Sequence, residues 1–389
     1  LIRRPADPGC EDREPVILQA HLDMVWIQHP EAAGQGIRLV RDGALLRAES
    51  STLGADDGIG VAYVLALLTQ KEGPFPPLEG LLTVDEETSM EGAERFDCSL
   101  LQGRRLINLD SEEEGILLAG AAGGVQLDVQ ADREVRRSGL QQPVMVQLTL
   151  SGMEGGHSGM DIQKGRGNAI REMADLLADL QTQVRPTLCA WSGGSFPNAI
   201  AAQSRCTIAL EKTALEQLDR LVRQAQEHLQ SRFDRPAISM TWSQLPLSPE
   251  GEGLTQAALS RLLELVRQVP DGVQQVDPLV PGMVAVSTNL GVLSLDGGTC
   301  GLEFALRSNL PGEKEKLTEQ VRALAEREGF SLRAHGAYPE WTFRADSPLR
   351  EAACRVYRQL TDRSMEVTTI HAGTECSIFA DRLPGLDCI

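Results

Sequence analysis

Aromatic residues are scarce, 4% of the 389-residue chain, which argues against a function built on stacking bases or sugars. Positive charge is short as well: 37 Lys and Arg stand against 55 Asp and Glu, a formal net charge of -18. Such a surface repels phosphate backbones and anionic headgroups, so neither nucleic acid nor a membrane is an expected partner. No apolar run approaches the roughly 20 residues that span a bilayer. The opening LIRRPADPGCEDREP lacks the apolar segment of a secretory signal and lacks a Met, and the chain stops at GLDCI. Both ends are therefore expected to be internal points of a longer protein. The eight cysteines (Cys10, Cys98, Cys189, Cys206, Cys300, Cys354, Cys376, Cys388) form no CxxC pair and no regular spacing. That argues against zinc held by thiolate pairs and for reduced thiols in a cytoplasmic protein.

What is present is an ordinary globular composition, 42% apolar and 24% charged, in a chain long enough for two domains. Short apolar runs alternate with helix-like stretches over the first 120 residues or so, the pattern of an α/β fold with a mixed, largely parallel sheet and flanking helices. VILQAHLDMV (16–25), LEGLLTV (78–84) and RLINLD (105–110) read as buried strands, and GIGVAYVLALLTQ (58–70) as a helix after the turn GADD. From about residue 143 the character changes to two successive helix-strand-strand-helix-strand runs, which suggest an inserted, duplicated α+β module of the ferredoxin-like kind. The α/β style resumes at LREAACRVYRQLTD. The expected division is 1–142 and 337–389 for the first domain, with 143–336 inserted as a lid and dimerisation domain.

Taken singly, the polar groups at the strand ends invite bland explanations. His21 and Asp23 share one strand face, as a satisfied strand-end histidine would. Asp56-Asp57 opens a helix and suits capping. Glu86-Glu87 and Asp110 follow apolar strands, where solvated acids are common. Together they are less easily dismissed, because all fall at the exit edge of one inferred sheet, where open α/β sheets bind ligands. Mixed histidine and carboxylate donors suit zinc, manganese or cobalt. Two ions about 3.5–4 Å apart need a bridging carboxylate and a base for the water between them, and the acidic pairs could supply both.

AHLDMV, STLGADDGIGVA, LLTVDEETSMEGA and INLDSEEEG, in this order, resemble the zinc aminoacylase and carboxypeptidase superfamily of exopeptidases. GGHSGMDIQKGRGNA, STNLGV, GAYPEWTFRADSPL and IHAGTEC point to its aminoacyl-histidine (Xaa-His, β-Ala-His) dipeptidase branch. The resemblance implies two divalent ions per site, Zn2+ first, with Mn2+ or Co2+ as alternatives. It makes His21 and Asp110 ligands of one ion, Asp56 the bridge and Glu87 a ligand of the second. It makes Glu86 the general base for a metal-bridging water, leaves Asp57 beside the bridge without binding metal, and has Asp23 orient His21. A further histidine that completes the second ion in the family has no counterpart after LPGLDCI, and His371 belongs to a different motif. In the inserted domain, the resemblance implies that His157 reaches the substrate carbonyl, Asn198 contacts substrate near its carboxylate end, and Arg307 clamps that carboxylate, a task suited to a guanidinium fork. His29, His228 and His335 carry no signal. The implied activity is hydrolysis of dipeptides with a free N-terminus by a dizinc, homodimeric enzyme. An N-acyl amino acid amidase with the same metals, and an inactive peptide-binding relative, are the rivals.

Overall fold

In VILQAH only Gln19 and His21 are polar, and as the strand Val16–His21 the segment lies in the middle of a sheet, buried along nearly its whole length. A strand apolar on both faces must be covered on both, which is the habit of parallel sheets. Leu78–Thr83 and Arg105–Asn108 run parallel on either side of it, Asp387–Cys388 lies parallel beyond the latter, and Ile2–Arg4 closes the opposite edge antiparallel. Alternate side chains divide between the faces. Leu18, Ala20 and Leu78 pack with Val64 of the helix Ala55–Thr69, whereas Ile17, Leu81 and Leu106 pack with Phe379 and Trp341. The parallel strands end at one edge, with His21 opposite Thr83 and Gln19 opposite Asn108.

The structure, a computed structural model, describes residues 1–71, 73–132, 134–137, 139–246, 252–296 and 298–389. They divide into two compact units, Leu1–Ala121 with Pro339–Ile389, and Ala122–Tyr338. The second unit is built on one antiparallel sheet, with strands in the order Ser239–Leu245, Pro143–Ser151, Ser204–Glu211, Thr187–Gly194, Val284–Asp296, Thr299–Ser308, Gly123–Asp132, Ser331–Tyr338. The short Gly272–Val276 pairs with Val284–Asp296 off this path. Each half of the sheet has its strands in the order fourth, first, third, second of a βαββαβ module. The halves join through their second strands, where Trp191 pairs with Leu295. Helices Ala169–Gln183, Leu215–Arg232, Gln256–Gln268 and Glu313–Arg327 bury their apolar stripes in a common core with Trp191, Phe304 and Leu148.

The expected fold class holds: a mixed, largely parallel sheet and an inserted, duplicated ferredoxin-like unit. The two modules are not successive, however. The first strand of the second module is Gly123–Asp132, which precedes the whole of the first module. The inserted unit therefore begins at Ala122 rather than near residue 143, because Gly123–Asp132 pairs with Thr299–Ser308 and Ser331–Tyr338. A cue was present in the alternation of buried Val125, Leu127 and Val129 with polar Gln126, Asp128 and Gln130. Thr187–Gly194 was also unforeseen; its small residues carry little strand propensity, and pairing on both sides decides its form. The strand that begins at Val16 ends at His21 and does not continue to Val25.

Candidate metal centre and substrate-binding groups

His21 is the last residue of its strand and 1% exposed. Its Nδ1 lies 2.9 Å from the carbonyl oxygen of Asp23, to which it donates, leaving Nε2 as the free donor atom. Nε2 faces Asp56 Oδ1 at 3.0 Å and Asp110 Oδ1 at 3.5 Å. Burial alone would depress the imidazole pKa, but Asp110 first, then Asp56 and Glu86, raise it to about 10. Those carboxylates draw a cation to the point where Nε2 aims.

The Asp23 carboxylate is used differently from the expectation that it would orient His21. Its Oδ1 is 3.6 Å from Nδ1, whereas its two oxygens accept from the N–H groups of Glu86 and Glu87 at 3.2 Å each. Asp23 thus orients the histidine through its main chain and pins the acidic turn through its side chain. Glu87 Oε1 accepts from Val25 N at 3.3 Å, and burial, then the charge of Asp56, raises its pKa. Glu86 is pushed up to about 7, first by burial and then by the charge of Asp110. Asp110 is raised by burial as well, against the pull of His21.

Asp56 and Asp57 sit in the first turn of Ala55–Thr69 with non-helical dihedrals, joined by a cis peptide bond. Their roles separate by what each touches. Asp57 is 1% exposed, and its oxygens accept from His21 N and Gly60 N, each at 3.1 Å. A Cβ on Gly60 would lie 2.2 Å from Asp57 Oδ1, so the brace needs glycine there. Burial, then the charge of Asp110, lifts Asp57 to about 6. By distance alone His21, Asp57 and Asp110 form one possible donor group, and His21, Asp56 and Glu87 another, with atoms within 4.8 Å of one another. We favour Asp56 over Asp57 as a ligand, because both oxygens of Asp57 are already engaged by main-chain donors. Among the described residues no Lys or Arg pairs with Asp56, Asp110, Glu86 or Glu87. One imidazole among uncompensated carboxylates is the donor chemistry of a divalent ion bound by nitrogen and oxygen, so the residues fit such a group.

Beneath this edge lies a layer that the sequence did not single out. Glu375, 2% exposed, accepts through Oε2 from Gln19 Nε2 and Thr83 Oγ1, both at 2.6 Å. Gln19 Oε1 accepts from Asn108 Nδ2 at 2.5 Å, and Asn108 Oδ1 accepts from the N–H of Asp110 at 3.2 Å. This chain of bonds links a buried glutamate to the main chain of a candidate ligand. Burial pushes Glu375 up to about 7, despite the bonds from Thr83 and Gln19. The only hints in sequence were a Gln inside an apolar strand and a Glu inside IHAGTEC.

In the second unit, His157 and Asn198 meet through a small ribbon, in which His157 pairs with Ala199 and Ser158 N donates to Asn198 O at 2.8 Å. The N–H groups of Gly159 and Met160 donate to His157 Nδ1 at 3.3 and 3.2 Å. The neutral ring must then carry its proton on Nε2, a donor suited to a carbonyl or developing oxyanion. Burial, then the charge of Arg307, holds its pKa below the ordinary histidine value, which keeps that neutral form. Asn289 Nδ2 donates to the carbonyls of Pro197 and Ala199 at 2.8 and 2.9 Å, fixing the turn on both sides of exposed Asn198. Arg307, next to last in the strand Thr299–Ser308, is buried, 9% exposed. His335 bonds Asp128 at 3.0 Å, within the same sheet.

Residues 148–235, which span most of the first module and include His157 and Asn198, match the family model described as a peptidase dimerisation domain. The cytosol non-specific dipeptidase of Escherichia coli (strain K12) is 33% identical over 395 residues, an alignment covering 100% of this chain and 81% of that protein. The chain belongs to the M20 peptidase family. Its structure is also similar to that of the aminoacylhistidine dipeptidase from Vibrio alginolyticus, with a TM-score of 0.90 and 32% identity over 99% of this chain and 79% of the other. Membership in this family of enzymes agrees with the branch implied by the motifs, and with a donor set fit for metal. No helix among the described residues is long and apolar enough to cross a membrane.

Proposed function

We propose that this chain hydrolyses dipeptides with a free N-terminus, of the Xaa-His or β-Ala-His kind, in a centre that holds two divalent ions, Zn2+ first and Mn2+ or Co2+ as alternatives. The observation that carries this is the convergence of His21 Nε2 with Asp56, Glu87 and Asp110 at the end of one parallel sheet. The similar proteins support the substrate class, since one is named a non-specific dipeptidase and the other an aminoacylhistidine dipeptidase. The cytosol named for the first supports a cytoplasmic setting, and the dimerisation domain supports a homodimer.

In this reading His21, Asp110, Asp56 and Glu87 are the residues that would hold the ions. Bound there, such ions lower the pKa of water and polarise a carbonyl as Lewis acids. Glu86, next to Glu87 and with no Lys or Arg paired to it among the described residues, accepts a proton from water and returns it to the leaving amine. His157 donates its Nε2 proton in a hydrogen bond to the carbonyl oxygen as negative charge gathers on it. Asn198 and Arg307 hold the carboxylate end, which limits the substrate to short peptides. Glu86→Gln should lower turnover of β-Ala-His and Ala-Ala by about two or more orders of magnitude while bound metal stays constant. Unchanged turnover would remove Glu86 from this role. Preference of the unaltered enzyme for an N-acetyl amino acid over these dipeptides would overturn the dipeptidase reading.

A further inference from the structure

Arg307 is a cation buried with little to balance it. Among the described residues no carboxylate lies within ion-pair distance of its guanidinium, and its Nε has no hydrogen-bond partner. A buried charge left this way is costly unless an anion arrives to pair with it. The Tyr338 hydroxyl accepts from Arg307 Nη1 at 2.8 Å.

The sheet register explains how a tyrosine reaches that far. Arg307 pairs with Gly124 on the adjoining strand, and Gly124 pairs in turn with Tyr338 on the next, so the three form one row across three strands. Side chains two strands apart do not normally meet, since neighbouring strands are about 4.8 Å apart. Here the middle position has no side chain. A Cβ on Gly124 would lie 2.5 Å from both Cζ and Oη of Tyr338, so the ring occupies the space a side chain would fill. Lys314 Nζ donates to the Tyr338 carbonyl at 2.8 Å and fixes the main chain from which the ring extends.

We infer that Tyr338 is the positioning residue of the carboxylate clamp: by engaging Nη1 across Gly124, it sets the plane of the Arg307 fork so that its remaining N–H groups meet the terminal carboxylate of a dipeptide. This rests on the reading of Arg307 as that clamp. Guanidinium–carboxylate pairing is strongest when two N–H groups are presented in plane, so loss of the tyrosine hydroxyl weakens carboxylate binding without touching the chemistry.

The test compares Ala-Ala with its C-terminal amide, using KM for each, or the inhibition constant of the amide if it is not turned over. Tyr338→Phe keeps the ring and should raise KM for Ala-Ala about 10-fold, with kcat nearly constant and the amide unaffected. Arg307→Ala should remove the preference for the free carboxylate altogether. Gly124→Ala should reproduce the selective rise by displacing the ring, and should add nothing once Tyr338 is replaced by Ala. If Arg307→Ala abolishes the carboxylate preference but Tyr338→Phe leaves it intact, the positioning role is overturned and the clamp stands. If Arg307→Ala leaves the preference intact, the clamp itself fails and the inference with it. Should Gly124→Ala fail to fold, the Tyr338→Phe comparison decides alone.

Discussion

Replacing Glu375 with Gln should change how the stability of the metal-free protein depends on pH. Glu375 has an ordinary carboxyl pKa near 4.5 when the chain is unfolded and about 7 in the folded protein. The folded state therefore binds more protons between these values, and stability falls as pH rises through the window from about 4.5 to about 7. A shift of this size corresponds to about 3 kcal/mol in total, of which about 2–3 kcal/mol develops between pH 5 and pH 8. Glutamine cannot ionise, yet its side-chain oxygen can still accept from Gln19 and Thr83 as Glu375 Oε2 does. Whatever the amide costs where Oε1 now sits is the same at both pH values, so it cancels in the difference. Thermal unfolding with a chelator present, at pH 5 and at pH 8, measures that difference. On moving to pH 8, Glu375→Gln should retain about 2–3 kcal/mol that the unaltered protein loses, a relative gain of roughly 5–10 °C for a domain of this size. Equal losses in the two proteins, or a larger loss in the variant, would refute the assignment of a buried, ionisable glutamate beneath the candidate metal centre.

Two further outcomes follow from the geometry. Gly60→Ala, which helix propensity alone would favour by about 1 kcal/mol, should instead destabilise by about 1–3 kcal/mol. Its Cβ meets Asp57 Oδ1, and Asp57 is buried and held by two main-chain donors; a raised melting temperature would count against the brace. His157→Ala should lower kcat about 100-fold or more through loss of a donor to the oxyanion, with metal content unchanged by elemental analysis. Unaltered kcat would remove the histidine from the reaction.

How much of this was legible in the sequence differs between the two units. The apolar runs ending at His21 and at Thr83, each followed by acids, announced buried parallel strands with polar exit ends, because the strand pattern is local and continuous. The doubled α+β architecture could be read from element order as well. The interleaving could not, since nothing local says that Gly123–Asp132 pairs with strands far along the chain.

Within the candidate centre, residue types and their order nominated His21, Asp110 and the pairs Asp56–Asp57 and Glu86–Glu87, because those groups lie at strand ends or in the turns after them and share one edge by topology; the resemblance to the family divided the roles within each pair. Partners were another matter. That the Asp23 carboxylate would hold the Glu86–Glu87 turn, and that Asp57 would bind the main chain of His21, depends on angstrom-scale placement in three dimensions.

The amino-acid sequence by itself determined the donor chemistry and the parallel sheet that carries it, since both rest on residue type, spacing or periodicity, and its likeness to known sequences determined the family. Tertiary structure alone decided the burial of Glu375 beneath the centre and of Arg307 beside Tyr338. Both depend on which distant strands lie side by side, a matter of packing and register that no short stretch of sequence encodes.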